Sequence, residues 1–158
     1  MKKLKIYLET SVISHLDQED APDKTLDTRE LWKDIKADKY NVVISDLTLL
    51  EINRCFEPKR SFLLQDIAMI VREEVTRSIE TERLSALYVK VGGLPPKSRD
   101  DATHIAIATV SNCDIILSWN FRHIVKLRAI TAVESVNIRE GYNIPRIMSP
   151  SMLIDRER

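Results

Sequence analysis

The sequence predicts an α/β fold: a parallel sheet of about four or five strands with helices on both faces. Three observations predict it. Short apolar, β-branched runs recur at LKIYL (4–8), VVIS (42–45) and DIILS (114–118). Each ends in polar residues, and the stretches between them carry helical spacing. The 158 residues suit one domain with a sizeable core, so a single domain is expected over 1–158, with a loose tail beyond Pro150.

The elements follow in order. Leu4–Leu8 reads as a buried strand that stops at Glu9-Thr10-Ser11, and Val12–Leu16 opens a helix. Gln18–Lys24 is charged and holds Pro22, which predicts a loop. Leu26–Lys39 is helical through Leu31, Trp32 and Ile35, and Val42–Ser45 is the second strand. Ser45 and Asp46 are capping residue types for a helix that carries Leu47, Leu50 and Glu51. Pro58 separates it from a helix over Arg60–Val71, and a short extended piece is expected within Glu74–Glu80. Thr81–Val91 is a helix stopped by Gly92-Gly93 and Pro95-Pro96. Ser98–Ser111 is the clearest helix, with Asp100 and Asp101 in its first turn, where the dipole favours anions. Asp114–Ser118 is the third strand, Phe121–Lys126 a short helix, and Arg146–Met148 an edge strand.

Composition excludes several chemistries. The only glycines are Gly92, Gly93 and Gly141, so neither a dinucleotide turn, a phosphate loop nor a nucleophile elbow can be built. His15, His104 and His123 lie too far apart for a zinc-protease helix. Cys55 and Cys113 form no ligand pair and fit a reducing compartment. The 24 basic and 24 acidic residues advertise no nucleic-acid partner by net charge. The basic start resembles a signal peptide, but Glu9 breaks its apolar stretch, and no run reaches the ~18 apolar residues of a membrane span. A cytoplasmic protein with no membrane partner is expected.

The polar residues converge at one place. Binding sites in parallel sheets form outside the carboxyl ends of the strands. Glu9 follows the first strand, Glu51 lies in the helix after the second, Asp101 begins the helix before the third, and Asn120 follows that third strand. Carboxylates brought together repel unless a cation is present, and oxygen-only ligation suits Mg²⁺ or Mn²⁺. Such ions can support phosphodiester hydrolysis.

At these residues the chain resembles the PIN domain family, close to bacterial VapC-type toxin ribonucleases. The pattern is YLETSVIS, ISDLTLLEI, DDATHIAIA and DIILSWNFRHI, closing with GYNIPRIMSP. The resemblance implies a three-layer α/β/α sandwich and a metal-dependent endoribonuclease acting on RNA. It also implies a homodimer and, for a toxin of a toxin–antitoxin system, a small antitoxin partner. Glu9, Glu51 and Asp101 fall on the family's acidic positions, and Asn120 on a position where many members have Asp. These four are the expected metal-binding and catalytic residues, with Ser11 and Asp100 supporting them. Arg54, Lys97 and Arg99 are candidates for RNA phosphates.

Two departures leave a second reading open. Glu9 is one methylene longer than the usual Asp, so the ion must shift or be reached through water, and Asn120 lowers the site's charge. An attenuated PIN-like nucleic-acid-binding or protein-interaction module has the same pattern. The acids do not distinguish RNA from DNA. His104 is expected to be a satisfied, partly buried histidine, and Trp119 a core residue. An apolar face on the Arg60–Val71 and Thr81–Val91 helices is a candidate dimer surface.

Overall fold

The computed structural model describes residues 2–154. Among them, five parallel strands form one sheet: β1 (Leu4–Leu8), β2 (Tyr40–Ser45), β3 (Glu73–Val75), β4 (Ile115–Leu117) and β5 (Arg146–Met148). Their order is β3-β2-β1-β4-β5, so the strand order reverses between β1 and β4. That reversal opens a crevice outside the carboxyl ends of those two strands.

The strands read as continuous apolar runs because both faces of the sheet are covered. Ile6 and Leu8, Val42 and Ile44, and Ile115 and Leu117 join one core, with Leu31, Trp32, Ile52 and Leu63. The alternate residues Tyr7, Val43 and Ile116 join the opposite core, with Leu84, Tyr88, Ile105 and Val133. The first core lies under α2 (Pro22–Lys36), α3 (Asp46–Asn53) and α4 (Lys59–Ala68), preceded by the short α1 (Thr10–Ser14). The second lies under α5 (Ile79–Lys90), α6 (Arg99–Val110) and α7 (Leu127–Glu140). The result is the expected three-layer α/β/α arrangement with an all-parallel sheet.

Local chemistry sets the helix ends. Ser45 caps α3 by accepting from the Thr48 N–H at 3.1 Å. Ser78 and Thr81 form a reciprocal capping box on α5. Residues 102–109 of α6 are all buried, and its small alanines allow close approach to the sheet and to α5. A side chain in the middle of α6 therefore has no route to solvent, which fixes the surroundings of His104. Behind it, the Tyr88 hydroxyl donates to Asn137 Oδ1 at 2.6 Å and ties α5 to α7.

Several expectations are corrected. Pro22 does not lie in a loop. It is the first residue of α2, where its missing N–H is no loss. Phe121–Lys126 is a turn, not a helix. The Asn120 side chain accepts from His123 N at 3.0 Å, and the Asn120 carbonyl from Ile124 N at 3.0 Å and Val125 N at 2.9 Å. Helix α7 is an element beyond those expected. Its signal is Ala129, Ala132, Val133 and Val136 on one face, closed by Gly141 at φ 81°. The chain also does not loosen directly after Pro150. Pro150–Leu153 forms a short helix, α8, and Ile154 is buried in the first core. Residues 155–158 of the expected tail lie outside the described residues.

Ile44 is fully buried at the middle of the first core, whereas Leu26 is largely exposed on α2. Ile44→Ala should lower stability by about 2–5 kcal/mol in urea unfolding, and Leu26→Ala should leave it within about 0.5 kcal/mol.

Candidate active site at the carboxyl edge

The reversal between β1 and β4 brings the candidate residues to one end of the sheet. Glu9 leaves β1 and caps α1. Its Oε2 accepts from Ser11 N at 3.0 Å, and its Oε1 from Ser11 Oγ at 2.6 Å and Ser118 Oγ at 2.5 Å. Its backbone N–H donates to the Leu117 carbonyl at 3.1 Å. Glu9 is nearly buried, with both oxygens committed, and it joins the ends of β1 and β4. Ser11 also receives Trp119 N at 2.8 Å, so this hydroxyl sits at the junction of the two strand ends.

Glu51 comes in from α3. Both of its hydrogen bonds fall on Oε1: Thr10 Oγ1 donates at 2.8 Å and His104 Nε2 at 2.5 Å. Burial pushes its carboxyl up, but these two bonds, the His104 charge and Arg54 outweigh burial and the net shift is downward. His104 is fully buried. Its Nδ1 lies 2.6 Å from the Tyr7 hydroxyl, which lies 2.8 Å from Ser45 Oγ. Burial lowers the His104 pKa, yet Glu51, Glu9 and Asp101 raise it more and the net shift is upward. Burial also drives the Tyr7 hydroxyl far above its ordinary value, so it stays protonated.

Asp101 starts α6, three residues before His104. Burial and the Glu9 charge push its carboxyl from the ordinary 3.8 to about 6, with Glu51 adding to the rise. His104 and a hydrogen bond with the Asn120 side chain oppose it without cancelling it. Asn120 Oδ1 already accepts one hydrogen bond, from His123 N. Its amide nitrogen is the atom left to serve Asp101.

The structure thus sorts the expected residues. Glu9, Ser11, Glu51, Asp101 and Asn120 share one edge. Among the described residues, no three His, Cys, Asp or Glu side chains converge tightly enough to enclose a metal ion. The arrangement still suits a hydrated Mg²⁺ or Mn²⁺. Mg²⁺ commonly uses one or two carboxylates and keeps several waters. Asp101, which lacks sufficient positive compensation, and Glu51, whose hydrogen bonds both fall on Oε1, are the pair that could hold it. Asp100 is exposed beside them.

Of the basic candidates, Arg54 and Lys97 are exposed. Arg99 instead clamps α6 to α5, donating to Ser85 Oγ at 3.0 Å and to the Glu82 carbonyl at 2.9 Å. Trp119 is buried, and its Nε1 donates to Thr28 Oγ1 at 2.9 Å, which makes it core as expected. Phe121 beside it is half-exposed, with Lys24 Nζ 5.4 Å from its ring centre. The sequence reading did not assign Tyr7, Thr10 or Ser118 to the site. Tyr7 was detectable as the one polar-tipped residue inside an otherwise aliphatic strand centre.

No protein-family model matches the chain, and no curated protein matches it by sequence. Solved structures do resemble it. VapC20 of Mycobacterium tuberculosis, described as a sarcin–ricin-loop-cleaving toxin, aligns with a TM-score of 0.58 at 18% identity, covering 75% of this chain and 92% of that one. VapBC2 of Rickettsia felis, solved bound to a DNA fragment from its promoter, aligns with a TM-score of 0.56 at 12% identity, covering 92% of this chain and 98% of that one. The fold is therefore the PIN fold of VapC toxins.

Asp101 supplies a pH prediction. Its raised folded pKa means the native state holds a proton that the unfolded chain has already lost between pH 3.8 and about 6. Its contribution to stability therefore falls as pH rises through that window. In metal-free protein, Asp101→Asn should melt higher than wild type at pH 7.5. The gap should shrink as pH falls from about 6 toward 3.8, as read by thermal unfolding of both proteins across pH.

Proposed function

We propose that the protein is a divalent-metal-dependent endoribonuclease of the VapC toxin kind. The observation that carries this reading is the gathering of Glu9, Glu51 and Asp101 at the switch point of a PIN fold, where burial and the Glu9 and Glu51 charges push the Asp101 carboxyl to about 6. A cluster of negative charge without sufficient compensation favours a cation. Bound there, Mg²⁺ or Mn²⁺ would supply Lewis-acid polarisation of a phosphodiester and activation of water.

The chain's residues divide that work. Glu51 and Asp101 hold the ion. Glu9, closed by Ser11 and Ser118, keeps the pocket negative and locks the two strand ends, acting on the ion through water at most. Asn120 donates to Asp101 and shapes the turn behind it. Arg54 and Lys97 steer the RNA backbone, while Arg99 chiefly ties α5 to α6. The partners are RNA and a small antitoxin. The apolar side chains of Phe62 on α4, of Met69 just beyond it, and of Ile79 at the start of α5 are exposed and are candidates for a homodimer face. Among the described residues no helix is long and apolar enough to cross a membrane, and the working compartment is the cytoplasm.

A second reading has its own observation. Both Glu9 oxygens and the Asn120 oxygen are already engaged, which suits an attenuated module that binds RNA or protein without cutting. Incubating a mixed single-stranded RNA pool with the protein and Mn²⁺ or Mg²⁺ separates the two. The enzyme reading expects cleavage that EDTA stops and that Asp101→Asn lowers by at least about a hundredfold. Cleavage that survives Asp101→Asn refutes the site, and absence of cleavage by folded, partner-free protein favours the module.

A further inference from the structure

Building on the reading of a cation between Glu51 and Asp101, we propose that His104 is a positioning residue. Braced by Tyr7, it holds Glu51 Oε1 so that Oε2 is the oxygen presented to the ion.

The geometry is a buried chain through three elements. Ser45, the cap of α3, meets the Tyr7 hydroxyl at 2.8 Å, and Tyr7 on β1 meets His104 Nδ1 at 2.6 Å. His104 on α6 then reaches Glu51 Oε1 at 2.5 Å. A carboxylate only accepts, so Nε2 carries the donated hydrogen whichever state the ring is in. Tyr7 and His104 are both fully buried, so neither ring is open to bulk water, while Glu51 at the end of the chain is part-exposed. Thr10 donates to the same oxygen at 2.8 Å. Two donors on one oxygen, one of them a ring that cannot rotate away, select a single carboxylate orientation.

A purely structural histidine would need only some partner for each nitrogen. Here the partner of Nε2 is a site carboxylate, and Asp101 lies one turn earlier on the same helix. Position 104 therefore sets the relation between the two oxygens that would hold the ion. Partners that orient carboxylate ligands commonly change metal affinity by about 10–100-fold when removed.

The test is Mn²⁺ affinity per folded molecule, read from the electron paramagnetic resonance signal of free Mn²⁺, with circular dichroism to establish folding. Wild type, His104→Leu, His104→Gln, Tyr7→Phe and Asp101→Asn are compared. His104→Leu is expected to weaken binding by about 10–100-fold. His104→Gln keeps a donor at the Nε2 position and should stay within about threefold of wild type. Tyr7→Phe should weaken binding by at least about threefold. Should His104→Leu fail to fold, the contrast between Tyr7→Phe and His104→Gln decides. Folded His104→Leu or Tyr7→Phe binding Mn²⁺ like wild type, merely with a lower melting temperature, overturns the positioning role. If Asp101→Asn loses Mn²⁺ in that same experiment, the cation site itself stands. Unaltered binding by Asp101→Asn overturns the cation site and the positioning role together.

Discussion

Repulsion among carboxylates at one end of a parallel sheet is the constraint around which this molecule is arranged. The sheet is covered on both faces, so the strands are largely apolar and the acids emerge beyond the ends of β1 and β2. The reversal between β1 and β4 then gathers acids from three distant segments. Each acid is handled differently. Glu9 keeps its charge and is held by hydroxyl and amide donors. Glu51 receives a histidine and a threonine. Asp101 receives an amide hydrogen bond and the His104 charge, which do not cancel burial and repulsion, and its pKa rises to about 6. The Glu9 and Glu51 charges that add to the rise caused by burial also favour a cation beside this carboxyl.

The burial of α6 makes this division possible. Residues 102–109 of α6 are all buried, and His104 has no exposed surface. The imidazole must find protein partners for both nitrogens. It finds Tyr7 below and Glu51 above, so a packing requirement becomes an alignment device. The polar chain from Ser45 to Glu51 runs through the second core without an unpartnered group along it. Such a chain is specific because each member fixes the next.

Much of this was legible in the sequence. The three apolar runs located β1, β2 and β4, and the charge pattern of DDATHIAIA located α6 with Asp101 in its first turn. The acids fell on one edge because the topology rule for parallel sheets needs only strand positions and direction. Other features were hidden for physical reasons. The β3 segment is EEV, whose exposed glutamates have poor strand propensity, and the neighbouring β2 backbone supplies the pairing. Pro22 signals a break and a helix start equally well. Helix α7 is different, because its amphipathic spacing stands in the sequence. Side-chain direction was not legible at all. Only coordinates distinguish a Glu9 or Asn120 with its oxygens turned into the protein from one aimed at a ligand.

The central claim is that Glu51 and Asp101 form the cation site while Glu9 stands behind it. Anomalous diffraction from a Mn²⁺-soaked crystal of the wild-type protein tests it most directly. The account predicts one anomalous peak at the carboxyl edge, within bonding distance of Glu51 and Asp101 oxygens, with the Glu9 carboxylate still held by Ser11 and Ser118. A peak bonded to Glu9 and touching neither Glu51 nor Asp101, or no peak at that edge under saturating Mn²⁺, would contradict it.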